Sequence, residues 1–117
     1  MSQRERLLFV CSHNLSRSLT AELLLRDMTG YEVRSGGTFR DARVCVTQEL
    51  VVWADRVFVM EEHHAESLRE RFPLAITEKI LICLDIPDEY QPLTEELFGV
   101  LVDRLALHIR FPDTETE

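Results

Sequence analysis

Short runs of adjacent apolar residues alternate along this chain with longer stretches in which apolar residues recur every three or four positions. Leu7, Leu8, Phe9 and Val10 form the first run, and such a block predicts a strand buried on both faces. From Ser18 the period changes. Ala21, Leu24 and Met28 share one stripe of a helix that Gly30 stops. Residues 31–34 predict a second, weaker strand ended by Ser35-Gly36-Gly37. Thr47 can cap a short helix through Trp53. Residues 56–60 (RVFVM) predict the third strand. A helix over 62–72 follows, with Ala65, Leu68 and Phe72 inward and Pro73 as its terminator. Residues 79–84 (KILICL) predict the fourth strand. Pro87 and Pro92 bracket a loop. Thr94, followed by Glu95 and Glu96, opens a last helix marked by Leu97, Leu101, Leu105 and Ile109. Residues 111–117 form a tail expected to fray.

Four short apolar strands separated by helices predict an α/β domain. The expected architecture is three-layered and doubly wound, a four-stranded parallel sheet with helices on both faces. Ligands in such sheets bind beyond the carboxyl ends of the strands. That places the candidate site among residues 11–18, 35–46, 60–62 and 85–93.

The 117 residues predict a single domain over 1–117. A hydrophobic fraction of 45% with 29% charged residues is that of a globular chain. No apolar segment approaches the length of a membrane span, and the MSQRER start lacks the pattern of a signal peptide. Cys11, Cys45 and Cys83 are odd in number and widely spaced, so they are expected as reduced thiols of a cytoplasmic protein. The formal net charge is −8, which argues against nucleic acid or an anionic membrane as partner. The acidity is uneven. Residues 85–117 carry nine acids and two bases, whereas residues 1–84 carry twelve acids and eleven bases. Twelve of the thirteen basic residues are Arg, the side chain better suited to a two-pronged grip on phosphate. The oligomeric state is left open.

The loop after the first strand reads Cys11-Ser12-His13-Asn14-Leu15-Ser16-Arg17-Ser18. It holds no acidic residue and leads straight into a helix. Successive backbone N–H groups in such a turn can converge on one anion, and the helix dipole adds to the attraction. That field favours a thiolate, the nucleophilic form of cysteine. Arg17 can close the ring on phosphate oxygens. Asn14 tolerates left-handed backbone angles inside the turn, and Ser18 can cap the helix or donate to the thiolate. Cys-x5-Arg alone is a weak signal. The other two cysteines have Val51 and Glu89 at the matching offset, so only Cys11 qualifies.

Leu8-Phe9-Val10-Cys11-x-x-Asn14-x-x-Arg17-Ser18-x-x-Ala21-Glu22 resembles the signature of the low-molecular-weight protein tyrosine phosphatases, and most closely a compact bacterial branch of them. Val33-Arg34-Ser35-Gly36-Gly37-Thr38 is similar to that family's second strand and following turn. Residues 54–61 (ADRVFVME) resemble its third strand, and Ile86-Pro87-Asp88-Glu89-Tyr90 its late acid loop. The likeness spans nearly the whole chain. It implies the phosphotyrosine protein phosphatase I-like fold and a two-step reaction without metal or other cofactor. Cys11 would form a phosphocysteine. Asp88 would protonate the leaving phenolate and then assist water. Residues 12–18 would bind the phosphate: Ser12, His13, Asn14, Leu15, Ser16, Arg17 and Ser18. Within that loop Asn14 would hold the backbone and Ser18 would stabilise the thiolate. Tyr90 would line the entrance. The implied partner is a phosphotyrosine protein or a small aryl phosphate.

Three positions depart from the family pattern. His13 replaces a glycine, and either crowds the mouth or, when protonated, strengthens anion binding. Leu19 replaces a proline. Glu89 replaces the proline after the acid, which leaves Asp85 as a competing acid at the end of the fourth strand. Elsewhere the plainer expectations hold. Cys45 and Cys83 are structural, with Cys83 facing the core, and Trp53 is core. His63-His64 is a solvated helix start, because neighbours on a helix point about a hundred degrees apart. Arg34, Arg40 and Arg43 are either a solvated loop or a guide for anionic substrate. Two rival functions remain. One is arsenate reduction, disfavoured because no second thiol lies in the loop. The other is phosphate or phosphoprotein binding without turnover.

Overall fold

The structure is a computed structural model that describes residues 4–28 and 30–111. Nine elements follow one another: β1 (Glu5–Cys11), α1 (Arg17–Leu25), β2 (Tyr31–Gly37), α2 (Gln48–Trp53), β3 (Arg56–Val59), α3 (Glu62–Arg71), α4 (Pro73–Thr77), β4 (Ile80–Cys83) and α5 (Glu95–Leu105). The four strands form one sheet in the order β2-β1-β3-β4, and every pair is parallel. This is the expected doubly wound architecture.

The alternation of side chains along β1 explains the two-sided core. Leu7, Phe9 and Cys11 face α1 and α5, where they pack with Phe58, Met60, Ala21, Leu25, Leu97, Leu101 and Leu105. Leu8 and Val10 face the other way, packing with Val57, Val59, Val51, Ala65, Leu68 and Ile76 from the α2, α3 and α4 side. Phe9 and Phe58 stack across neighbouring strands, with ring centroids 5.0 Å apart. β1 is thus central and covered on both faces, and its end is the natural place for a buried nucleophile. No helix among the described residues is long and apolar enough to cross a membrane.

Several elements differ from expectation. α1 ends at Leu25, short of Gly30, and Met28 reaches the core from the turn that follows. Pro73 does not simply end a helix. It opens α4 as its first residue, where its missing N–H costs nothing. Cys83 is exposed rather than in the core, because β4 is an edge strand and its residues are only partly covered. Trp53 is half-buried against the α2-side cluster, with the Arg34 guanidinium 4.4 Å above its ring. Of the expected tail, everything beyond Phe111 lies outside the described residues.

Candidate active site

The loop from β1 to α1 is held from behind. The carbonyl oxygen of Cys11 accepts from the Thr38 N–H at 2.9 Å, that of Ser12 from Phe39 at 3.0 Å and that of His13 from Arg43 at 2.9 Å. The Asn14 carbonyl accepts from Arg43 Nε at 3.1 Å. Four consecutive carbonyls therefore point outward, into the segment after β2. The backbone N–H groups of residues 12–17, by contrast, donate to no group among the described residues. A peptide unit whose C=O faces out turns the next residue's N–H in, so the N–H groups of residues 12–15 face the inside of the turn at the start of α1.

Close approach of the two segments makes this bracing workable. A Cβ at Gly37 would overlap the Ser12 carbonyl oxygen. Asn14 sits at φ 60°, the left-handed angle that turns the loop. Its side-chain amide donates to Ser18 Oγ at 2.7 Å and to Ser35 Oγ at 2.9 Å. Ser18 does not cap the helix; Ser16 is the N-cap residue. Instead the Ser18 hydroxyl lies 2.9 Å from Cys11 Sγ, and the Ser18 backbone N–H points at the same sulfur at 3.5 Å. The N–H can only donate to the sulfur; the hydroxyl has one proton, for which the sulfur and the Gly36 carbonyl at 3.4 Å compete.

A cavity of about 180 Å³ opens over this loop, lined by Cys11, Ser12, His13, Leu15, Ser16, Arg17 and Asp88. Six of the seven come from the predicted loop and the seventh is the predicted acid. Asn14 and Ser18 lie behind the wall as buried supports. A larger hollow of about 430 Å³ is lined by Arg4, Arg6, Glu32 and Trp53. It is lined by no nucleophile, whereas the smaller one is lined by Cys11. Cys45 and Cys83 are not among the residues lining the cavity beside Cys11.

Arg17 is 2% exposed and held at one end. Its NH1 donates to Glu61 Oε1 at 2.7 Å and to the Ile86 carbonyl at 2.8 Å. Its Nε is buried and has no hydrogen-bond partner among the described residues; Asp88 Oδ1 lies 3.8 Å from it. An anchored guanidinium with a free buried N–H beside an N–H-lined turn is built to receive an oxyanion.

Asp88 lies at the apex of a loop tied at both ends to the rest of the site. The Ile86 carbonyl holds Arg17, and the Tyr90 carbonyl accepts from Ser16 Oγ at 3.2 Å. Asp85, the competing acid, sits outside the cavity at φ 58°, with its carbonyl bonded to Arg104 at 2.7 Å. Tyr90 does not line the cavity as expected. It is partly buried against the α1/α5 core, and its backbone carbonyl reaches Ser16 of the loop. Of the three arginines offered as guides, Arg43 alone braces the loop. Arg34 is stacked on Trp53, and Arg40 lines a separate hollow with Thr38 and Arg71.

Two site residues were missed in the sequence. Glu61 anchors Arg17, and the hydrogen bond from Arg17 holds its carboxyl below the usual range, with partial burial opposing. His64 is fully buried rather than solvated. Its Nδ1 accepts the Glu61 backbone N–H at 3.0 Å, and its Nε2 lies 2.9 Å from Ser12 Oγ. Burial pushes the His64 pKa down to about 3; the positive charges of His63 and Arg17 add to this and Glu61 opposes it. Glu61, His63 and His64 stand close enough to suggest a cation site. Both His64 nitrogens are already bonded and Glu61 is paired with Arg17, so a metal would have to break all three. The missed signal was the spacing: Glu61 and His64 stand at the cap and third positions of a helix start, where reciprocal capping places them together.

No family model matches the chain, and no curated protein matches it in sequence. Solved structures do match in shape. The YwlE arginine phosphatase from Geobacillus stearothermophilus is 26% identical, over 88% of this chain and 91% of that one, with a TM-score of 0.66. A low molecular weight protein tyrosine phosphatase from T. tengcongensis is 20% identical over 90% and 99%, TM-score 0.66. The tyrosine phosphatase Wzb from Escherichia coli K30, solved in complex with phosphate, is 22% identical over 90% and 93%, TM-score 0.68. The structural neighbours of this chain are thus low-molecular-weight tyrosine phosphatases and YwlE arginine phosphatases, and it has their fold.

Proposed function

We propose that this chain is a cysteine-dependent phosphomonoester hydrolase of the protein tyrosine phosphatase type. The observation that carries the reading is the loop of residues 12–17. The carbonyls of residues 11–14 are bonded outward, the N–H groups of residues 12–17 are unpartnered among the described residues, and buried Arg17, with its Nε–H free, lines the same cavity as Cys11. Such a cradle matches the equatorial oxygens of a transferring phosphoryl group, whose charge it stabilises at no cost in reorganisation.

In the first step Cys11 Sγ attacks phosphorus in line and the P–O bond to the leaving group breaks. Asp88, in its protonated form, gives its proton to the departing oxygen, because an aryloxide leaves poorly without one. In the second step Asp88 takes a proton from water as the water attacks the phosphocysteine. The Cys11 thiolate leaves, toward the hydroxyl and N–H of Ser18. Phosphate is released. The sequence of steps uses no metal.

Tyrosine-type substrates suit the mouth. Leu15 is 57% exposed at the rim, and the His13 ring packs edge-on against Phe39 at 4.5 Å. Apolar and aromatic surface at that height favours an aryl group above the phosphate. The neighbouring arginine phosphatases support a second reading, hydrolysis of a phosphoarginine side chain with the same nucleophile. Hydrolysis rates of 4-nitrophenyl phosphate, a phosphotyrosine peptide and a phosphoarginine peptide, in the presence of a chelator, test both. Turnover of the first two supports the main reading and turnover of the third alone supports the second. Phosphate binding with no turnover of any would leave a binding protein. Thiol-dependent arsenate reduction would revive the remaining rival.

A further inference from the structure

We propose that His64 is a positioning residue for the phosphate loop: its ring Nε2–H holds a lone pair of the Ser12 hydroxyl and thereby turns the Ser12 O–H toward the bound anion. The inference rests on the functional reading only in requiring that an oxyanion occupy the cavity.

The hydrogen bonds decide the direction. His64 Nδ1 faces the backbone N–H of Glu61 at 3.0 Å, and a backbone N–H can only donate. Nδ1 is therefore the acceptor nitrogen. A neutral imidazole with an acceptor Nδ1 carries its proton on Nε2. The contact of 2.9 Å between Nε2 and Ser12 Oγ is then a bond in which Ser12 accepts. A hydroxyl has one proton to give, and Ser12 Oγ has no other partner among the described residues. Ser12 lines the cavity, so its proton is left for the ligand.

Protonation would oppose this arrangement, since an Nδ1–H would meet the Glu61 N–H head on. The charged groups around the ring are Arg17 from α1 and His63 and Glu61 from its own helix start; burial is the largest cause keeping the ring neutral, Arg17 and His63 act with it, and Glu61 alone opposes it. The ring also ties the two halves of the cradle together. Through Ser12 it touches the loop wall. Through the Glu61 backbone it fixes the residue whose carboxylate grips Arg17. A donor fixed in direction before the ligand arrives adds affinity that a freely rotating hydroxyl does not.

The test is binding of inorganic phosphate, measured by calorimetry at pH 7, so that it does not depend on turnover. His64→Asn keeps an acceptor for the Glu61 N–H but is too short to reach Ser12. It should weaken phosphate binding roughly tenfold in the Ser12 background, and less than about twofold in a Ser12→Ala background. His64→Gln, which restores a donor at the Nε2 position, should recover most of the loss. Losses that simply add between His64→Asn and Ser12→Ala overturn the inference while leaving the functional reading intact. No phosphate binding by the wild-type protein overturns both. Ring ¹⁵N shifts of the wild type give a second readout that survives if a variant fails to fold. A neutral, Nε2-protonated ring at pH 7 supports the inference, and an Nδ1-protonated ring or an imidazolium overturns it.

Discussion

The loops after β1 and after β4 meet over one cavity, yet they are built in opposite ways. The β1 loop is locked. Four of its carbonyls are bonded outward, Asn14 is buried at a left-handed angle, and Arg17 is anchored by Glu61 and Ile86. The β4 loop touches the site through backbone at its two ends, while Asp88 between them is 65% exposed and 3.8 Å from Arg17 Nε. The contrast matches the two tasks proposed for them. Stabilising charge on phosphoryl oxygens needs donors fixed before the substrate arrives. Proton transfer needs one carboxyl that can follow the leaving oxygen and then the water.

Substitutions in the two loops should therefore differ in kind. The largest effect is expected for Cys11→Ser, which should lower hydrolysis of 4-nitrophenyl phosphate by about 10⁴-fold or more while phosphate still binds. Comparable activity in that variant would remove the nucleophile from the scheme. Arg17→Lys comes next. A lysine has one donor nitrogen, which cannot stand at both the NH1 position beside Glu61 and the free Nε position, so turnover should fall by roughly 10²–10³-fold and phosphate affinity with it. Asp88→Asn should lower kcat roughly 10²-fold with phosphate affinity nearly unchanged. Equal losses of affinity in the Arg17 and Asp88 variants would erase the distinction between the loops.

Stability should track the locked loop as pH falls. The folded His64 value of about 3 lies below the usual 6.5, so the unfolded chain binds more protons throughout that window. Stability should be level above pH 6.5 and decline as pH drops, by about 2–3 kcal/mol at pH 4.5 from this residue alone. Glu61, held below its ordinary value by Arg17, adds stability above pH 4.5 that is lost further into acid. Urea melts across this range should show the decline, and His64→Gln should flatten it. The smallest effect is expected for Asp85→Asn, within about twofold in kcat, since that side chain stands outside the cavity. A loss there as large as at Asp88 would reassign the acid.

The legible parts of the molecule were those written in local pattern. Leu7–Val10 and RVFVM announce buried strands because both faces of each are covered, and a four-strand parallel sheet follows. The loop of residues 11–18 was legible because strand, turn and helix start fall in one continuous segment. What escaped depends on tertiary position. Cys83 sits in an apolar run like the others, and only its place on the edge of the sheet exposes it. Pro73 can end one helix or begin another, and the packing of Ile76 on the core selects the second role. His64 looks like a surface residue until β3 brings its helix start against Ser12, 52 positions away. Tyr90 was placed by analogy at the entrance, but it packs against the core instead.

The position of Cys11 at the end of the central strand also bears on how the proposed phosphate cradle is assembled. β1 lies between β2 and β3, and both its partners are parallel, so each pairing closes a long stretch of chain. The loop's brace comes from the segment after β2, and Arg17's anchors come from beyond β3 and β4. A chain with only its first two strands paired has the signature residues but not the cradle. Recovery of phosphate binding during refolding should therefore lag the first burial of apolar surface and coincide with the last cooperative step. In this fold the proposed phosphate site would report completion of the whole sheet.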